Sequence, residues 1–255
     1  FRSPSVLECM PAQKNLNFKE QSITITFDEH IQVLNAASQI QFSPLIEELP
    51  DIVVKGKSMV IDLSKTNLLP NTTYRIEFGA SIADLTEKNI LRNYEYVFST
   101  GTSIDSLKLS GRIVAAEDNA PEAGMQVGLY ANTKQIDSLL YKTTPIYIGV
   151  TDNTGAFAFR NLPSQTYLVA ALGDKNKNKL YDGETERIAF LSSAIALKAD
   201  SIINLSAFTE LSKKTFVSAN TAISYGKHLL KLNKEAPWQL KAAIKEQDSK
   251  VLIEN

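Results

Sequence analysis

The chain has a single cysteine, Cys9, and only two histidines, His30 and His228, in 255 residues. One thiol excludes an internal disulfide framework and any CxxC zinc site, so cysteine pairing says nothing about redox compartment. With no histidine or basic partner close by in sequence, Cys9 reads as a small buried hydrophobe rather than a reactive thiol, and its context is a poor lipobox. No Gly-x-Ser-x-Gly elbow, His-Glu-x-x-His pair or phosphate-binding glycine loop occurs, which removes the common hydrolase, metalloprotease and nucleotide-dependent readings and points to a chain that is not an enzyme. Charge of one sign is missing too: 27 Lys+Arg stand against 28 Asp+Glu. Without a basic run interleaved with aromatics, nucleic acid is not an expected partner. No apolar stretch approaches the roughly 20 residues that cross a bilayer. The opening Phe1-Arg-Ser-Pro4 has neither a basic nor an apolar signal region. The expectation is a trimmed fragment whose export signal, a lipoprotein signal if the protein is membrane-anchored, has been removed.

What the chain does have is 44% hydrophobic residues, enough for about two domains of roughly 100–150 residues and part of a third. They come in short alternating runs. Leu16 and Phe18, then Ile23, Ile25 and Phe27, set one face of a sheet, and Asp28-Glu29 ends the run. Ile40 to Phe42 stops at Ser43-Pro44, and Ile52 to Val54 stops at Lys55-Gly56-Lys57 before Met59 to Leu63. A Pro70-Asn71 turn leads into Tyr74, Ile76 and Phe78, and a polar loop from Asp84 to Asn89 precedes Tyr94, Tyr96 and Phe98. Short strands at this spacing predict an antiparallel sandwich. Turn chemistry around Gly101 then reads as a linker lying outside two separate interiors, and Leu107, Leu109 and Ile113 resume the alternation.

Ile25-Thr-Phe-Asp-Glu29, Leu69-Pro-Asn-Thr-Thr-Tyr74, Phe78-Gly79, Ile82 with Asp84 and Glu87, and Tyr96-Val-Phe-Ser-Thr-Gly101 together resemble the bacterial Ig-like domain of surface-layer proteins. The stretch also resembles modules at the front of exported Bacteroidota proteins, and the likeness runs from about residue 4 to 101. It implies an Ig-like sandwich, a fold that serves many roles. Asn71-Thr-Thr73 fits a glycosylation sequon, but Asn after Pro also suits a tight turn. Asp28, Glu29, Asp84 and Glu87 are either solvated loop ends or acids that meet around a cation.

The second module opens with Leu107 to Val114. It continues through Met125 to Tyr130, a long polar excursion over 131–146, Tyr147 to Val150, Ala156 to Phe159 and Tyr167 to Leu172, with turns at Asp118–Gly124, Thr151–Gly155 and Asn161–Gln165. Gly111 with Val114, Pro121 with Gly124, Val127 with Leu129, Thr151-Asp152 with Gly155 and Phe157, and Leu162-Pro163 with Tyr167 resemble the carboxypeptidase-regulatory-like, or prealbumin-like, sandwich over about residues 105–200. The likeness implies an accessory β-domain rather than a peptidase. That family usually has a glycine ahead of the tyrosine strand; here Ser164-Gln165-Thr166 occupies the place, so the turn must differ or be strained.

The most specific local signal is Asp174-Lys-Asn-Lys-Asn-Lys-Leu-Tyr-Asp-Gly-Glu-Thr-Glu186. Asp174, Asn176, Asn178 and Asp182 stand at positions one, three, five and nine of a calcium loop, with the Leu180 carbonyl at seven. Alternate residues of a tight loop aim their oxygens at a common centre, which suits a hard cation. Against this, Lys179 stands where an EF-hand loop has glycine, Thr185 stands where it has glutamate, and Glu184 or Glu186 would have to reach in. Lys175, Lys177 and Lys179 also dilute the field. A solvated loop of Asx turns is the open alternative to structural Ca2+. The Bacteroidota look-alikes share an Asp-x-Asn-x-Asn-x-x-Tyr/Phe-Asp run here.

The reading is all-β: two tandem antiparallel β-sandwiches over 1–101 (Ig-like) and 102–205 (prealbumin-like), then part of a third β element over 206–255. In that last stretch Thr215 to Val217, Ala222 to Tyr225 and His228 to Leu232 look extended, and Ala236 to Ile244 fits a helix or a broken strand. The role expected is a structural or adhesive module of an exported cell-envelope protein, on the outer-membrane surface or in the periplasm. The alternative is an accessory domain that binds another envelope protein or a glycan through Tyr141, Tyr147, Tyr181 or Trp238.

Overall fold

A computed structural model describes residues 2–131, 136–210, 217–225 and 227–232. The first half carries Val6–Met10 (β1), Ser22–Phe27 (β2), Ile31–Val33 (β3), the short helix Ala36–Gln39 (α1), Gln41–Ser43 (β4), Asp51–Lys55 (β5), Ser58–Asp62 (β6), Thr73–Glu77 (β7), Ile82–Asp84 (β8), Ile90–Leu91 (β9) and Glu95–Ser99 (β10). They pair antiparallel in three sheets, β1-β2-β6-β5, β10-β7-β4 and β3-β8-β9. The period of two places Ile23, Ile25 and Phe27 on the inner face of β2, all fully buried. They meet Met59 and Ile61 of β6 and Tyr74, Ile76, Tyr96 and Phe98 of β7 and β10 in one interior.

The second half carries Leu107–Ala115 (β11), Gln126–Ala131 (β12), the helix Ile136–Lys142 (α2), Tyr147–Val150 (β13), Ala156–Leu162 (β14), Thr166–Leu172 (β15), Arg187–Phe190 (β16), Ile195–Ala196 (β17) and Ser201–Thr209 (β18). They form an eight-stranded sheet in the order β13-β12-β15-β16-β18-β11-β14, with β17 added on β15. This sheet folds over itself. Leu109, Ile113, Phe157, Phe159 and Leu205 from one side share an interior with Val127, Leu129, Tyr147, Tyr167 and Val169 from the other.

By contacts the chain parts into two compact units, Phe1–Phe208 and Thr209–Asn255. Both interiors lie in the first. Within the second, Val217–Ser224 (β19) and Lys227–Leu232 (β20) make an antiparallel hairpin, extended as the sequence predicts. Ala236 to Ile244 and Trp238 lie outside the described residues.

The all-β class holds, and the departures from the sequence reading have local causes. Val6–Met10 shows no strand signal in sequence because Leu7, Glu8 and Met10 are exposed and break the alternation, yet it is an edge strand paired to β2. Leu16 and Phe18 belong to no strand; only Asn15 bridges, to Phe98. The excursion after β12 contains a helical turn pair, α2, tethered by Leu139, which is buried beside Tyr130, Leu168 and Ala170. The pairing of β18 with β11 is parallel, in register Leu109↔Ser201 to Ala115↔Ala207. Cys9 is half-buried on β1 rather than fully buried, its Sγ 3.2 Å from the Tyr94 hydroxyl. Asn71 has φ 48°, the left-handed turn position that asparagine tolerates well.

The turn before the tyrosine strand is solved without glycine. Asn161 takes the left-handed conformation at φ 56°, and Ser164 Oγ donates to the Leu197 carbonyl at 3.0 Å. Glycine is instead needed at 111, where the parallel pairing brings the Ile203 carbonyl so close that a Cβ would sit 2.0 Å from its oxygen and 2.7 Å from the Phe157 ring. Gly111→Ala is therefore expected to destabilise by about 3 kcal/mol through forced displacement of backbone. Gly124→Ala, at φ 73° with nothing within 4 Å of the added methyl, should lose only about 1 kcal/mol of left-handed strain energy. Urea unfolding midpoints of the two variants check the order.

Candidate functional site

The Asp174–Glu186 loop joins β15 to β16, and its conformation is built almost wholly from its own side chains. Asp174 Oδ2 accepts the Lys179 N–H at 2.8 Å. Asn176 Oδ1 accepts the Asn178 N–H at 3.1 Å, and Asn178 Oδ1 accepts the Leu180 N–H at 2.8 Å, two successive Asx turns. Asp182 Oδ2 gathers the amide groups of Asn176 at 2.6 Å and Asn178 at 2.9 Å. Glu186 is only 2% exposed. Its two oxygens accept backbone N–H groups from opposite arms of the loop, Lys175 at 3.2 Å and Asp182 at 3.1 Å.

Lys177 and Lys179 have φ 62° and 64°, and Gly183 has φ 85°. Lys179, which the sequence sets against a calcium loop because glycine is absent there, thus adopts the backbone that glycine would supply, at about 1–2 kcal/mol of strain. Lys175 Nζ is turned aside onto the Thr185 carbonyl at 2.8 Å. Tyr181 is the loop's anchor: buried with Leu172 and Ile188, it donates its N–H to the Leu140 carbonyl at 2.8 Å and packs on Tyr141 at 5.3 Å between ring centroids. The sequence signal for this was available, since one aromatic in an otherwise polar loop is more often a tether than a platform.

The six predicted ligands therefore lie in one small loop, but they do not converge as a shell of free oxygens. Among the described residues, no three Asp, Glu, His or Cys side chains come together as a metal site. Glu186 and Asp182 are engaged by backbone and amide donors, while Leu180 takes part through its N–H. Asp174 Oδ1 differs, being buried with no hydrogen-bond partner. Burial pushes the Tyr130 hydroxyl up to about 12, with the charge of Asp174 adding to it. The donor chemistry, carboxylate and amide oxygen, fits Ca2+ provided the Asn176 and Asn178 amides turn their carbonyls inward.

Among the described residues, Asp28, Glu29, Asp84 and Glu87 do not gather into a metal-holding group. Asp84 is buried, and its carboxylate collects the N–H groups of Glu87, Lys88 and Asn89, closing the β8–β9 turn. Burial alone would raise its pKa; those N–H donors outweigh it and hold the group below the ordinary carboxylate range. Asp28 accepts the Ser5 N–H at 2.7 Å and faces Arg2. An open cleft of about 370 Å3 beside Lys19, Glu20, Ser64, Thr66 and Thr100 gathers no converging charged set.

Residues 2–100 match the bacterial Ig-like domain family, Big_5. The match ends with the last strand of the first sandwich, so the Asp174–Glu186 loop lies beyond the Ig-like module. No curated protein matches the chain. Solved structures with partial likeness include the major pilin subunit BcpA of Bacillus cereus, at 10% identity over 81% of this chain and 71% of that one, TM-score 0.28. A streptococcal ancillary pilin stands at 9%, 74% and 63%, TM-score 0.24. An L,D-transpeptidase from Mycobacterium smegmatis stands at 12%, 80% and 89%, TM-score 0.26. Superpositions at these scores imply neither a common activity nor a common partner.

Of the aromatic platforms proposed from sequence, Tyr147 and Tyr181 are core residues, 3% and 2% exposed, because alternation and tethering turn them inward. Tyr141 remains half-exposed.

Two outcomes follow from the loop chemistry. Glu186→Ala removes the charged acceptor shared by the Lys175 and Asp182 N–H groups and should cost about 1–3 kcal/mol in urea unfolding. For Asp84 the folded pKa is depressed, so its contribution is present above the unfolded value of about 3.9 and is lost as pH falls through the folded one. Asp84→Asn should lower stability at neutral pH and flatten the loss of stability below about pH 4, read from melting curves across pH 2–7.

Proposed function

We propose that the chain is a non-enzymatic structural module of an exported cell-envelope protein, an Ig-like sandwich followed by a carboxypeptidase-regulatory-like one that together hold a further part of the protein or a partner away from the membrane. The observation that carries this is the Ig-like match over residues 2–100 at the head of an otherwise β-built chain. A Bacteroidota source, with anchoring through a removed lipoprotein signal, is part of this reading, and the likeness of the two modules to exported Bacteroidota proteins supports the source. No helix among the described residues is long and apolar enough to cross a membrane; anchoring through a lipoprotein signal belongs to this reading and is compatible with that. The test is an epitope inserted in the exposed turn near Asn119 of the full-length protein. Cleavage by protease added to intact cells, or after outer-membrane permeabilisation alone, is the expected result. Protection until the inner membrane is lysed would end the proposal.

Within this module the Asp174–Glu186 loop holds a structural Ca2+, with Asp174, Asn176, Asn178, the Leu180 carbonyl, Asp182 and Glu186 as its ligands. The unpartnered Asp174 Oδ1 and the left-handed Lys179 support it. Binding to the folded state alone adds about 2.7 kcal/mol at a hundredfold excess over Kd. Calcium should raise the melting temperature and EDTA lower it, with both responses gone in Asp174→Ala. Identical transitions in calcium and EDTA would exclude the ion.

A second reading, a glycan- or protein-binding accessory domain, is favoured by one feature: Tyr141 is 48% exposed and braced from behind by Tyr181. Glycan-array binding lost in Tyr141→Ala would select it over the purely structural role.

A further inference from the structure

The segment that joins the two sandwiches is not free chain. Thr100 donates its N–H to the Thr72 carbonyl at 3.0 Å and its Oγ1 to the Leu69 carbonyl at 2.7 Å. The Gly101 carbonyl accepts the Asn17 N–H at 2.8 Å, and Gly101 itself is buried against Asn71, where a Cβ would lie 3.0 Å from the Asn71 Cα. The turn chemistry of this stretch alone predicts a linker outside both interiors. Tertiary hydrogen bonds have instead stitched it onto the first sandwich.

Four residues on, Asp105 uses its carboxylate and both its backbone groups on the two modules at once. Its Oδ2 accepts the hydroxyl of Thr73 at 2.8 Å, and its N–H donates to the same Thr73 oxygen at 2.8 Å. Its carbonyl accepts the Asn161 side-chain amide at 2.9 Å. Thr73 opens β7 of the first sandwich and is 1% exposed; Asn161 is on β14 of the second. A separate strut crosses the same joint, where the Leu45 N–H donates to the Ile146 carbonyl at 2.7 Å, just ahead of β13. Beneath it, burial pushes the Tyr167 hydroxyl up to about 12, the nearby charge of Asp105 contributing. These bonds resist bending because opening the joint breaks three hydrogen bonds at once, two of them to the buried Thr73 hydroxyl.

We propose that Asp105 is a latch that fixes the angle between the two sandwiches, so that they move as one rigid body rather than as two beads on a tether. The contacts stand independently of where the protein resides in the cell. A force or a partner met by the Ig-like module would be transmitted to the second module without a hinge.

The experiment is electron–electron distance measurement on the full chain, with spin labels at Glu48→Cys and Lys198→Cys in a Cys9→Ser background. Both label sites are exposed, one on each module. The expected result is a narrow distribution, no wider than that of a control pair confined to the first module, Glu48→Cys with Lys65→Cys. Adding Thr73→Val with Asp105→Ala should broaden it at least twofold, with circular dichroism retaining both sandwiches. If that pair fails to fold, Asn161→Gly, which keeps the left-handed backbone, removes one arm of the latch and should broaden it measurably. A wide distribution before the latch is altered, or an unchanged narrow one after, would overturn the proposal.

Discussion

A strand sends its side chains alternately to two faces; β2, β6 and β14 bury one face, while β7, β10, β12 and β15 bury residues on both. Everything else depends on how those faces are covered. Ile23, Ile25 and Phe27 can leave water only against strands from elsewhere in the first sandwich; Leu109, Ile113, Phe157 and Phe159 need Val127, Leu129 and Val169 across the second. Since burial of apolar area supplies most of the favourable energy of folding, the sheets must come in facing layers, and the connections between strands are left to run over the surface.

Those connections are where the chain spends its buried polar groups. Asp84 closes the β8–β9 turn, Glu186 ties the two arms of the Asp174–Glu186 loop, and Asp105 with Thr73 ties one sandwich to the other. In each case a carboxylate accepts hydrogen bonds from groups that would otherwise be stranded where β pairing stops. Arg187 works in the opposite sense, reaching from β16 to Glu117, Glu122 and the Ala207 carbonyl. The loops of this protein are thus ordered by the same accounting that orders its sheets.

The legible part of the fold was the part governed by period and turn chemistry. The strands at Ile23, Met59, Tyr74, Tyr96 and Tyr167 could be read directly because apolar residues recur every second position between turn residues. Val6–Met10 could not, since an edge strand packed on one half-covered side shows no alternation. Nor could the parallel seat of β18 beside β11, because a strand's sequence does not record which neighbour it will meet. At the candidate site, spacing picked out a run of oxygen-bearing residues, which the structure places in the turn between β15 and β16. Spacing could not tell that Glu186 would be turned inward onto backbone, or that Tyr181 would be sunk in a small core beneath it.

By itself the sequence determined that the chain is built from β-strands, where most of them lie, and which loop is rich in oxygen donors, because each of these follows from neighbours along the chain. The tertiary structure alone decided that the segment about Gly101 is fastened rather than free, that Asp105 faces Thr73 and Asn161, and which tyrosines reach solvent. Those depend on residues tens of positions apart meeting at a distance of a few ångströms, and no local pattern encodes such a meeting.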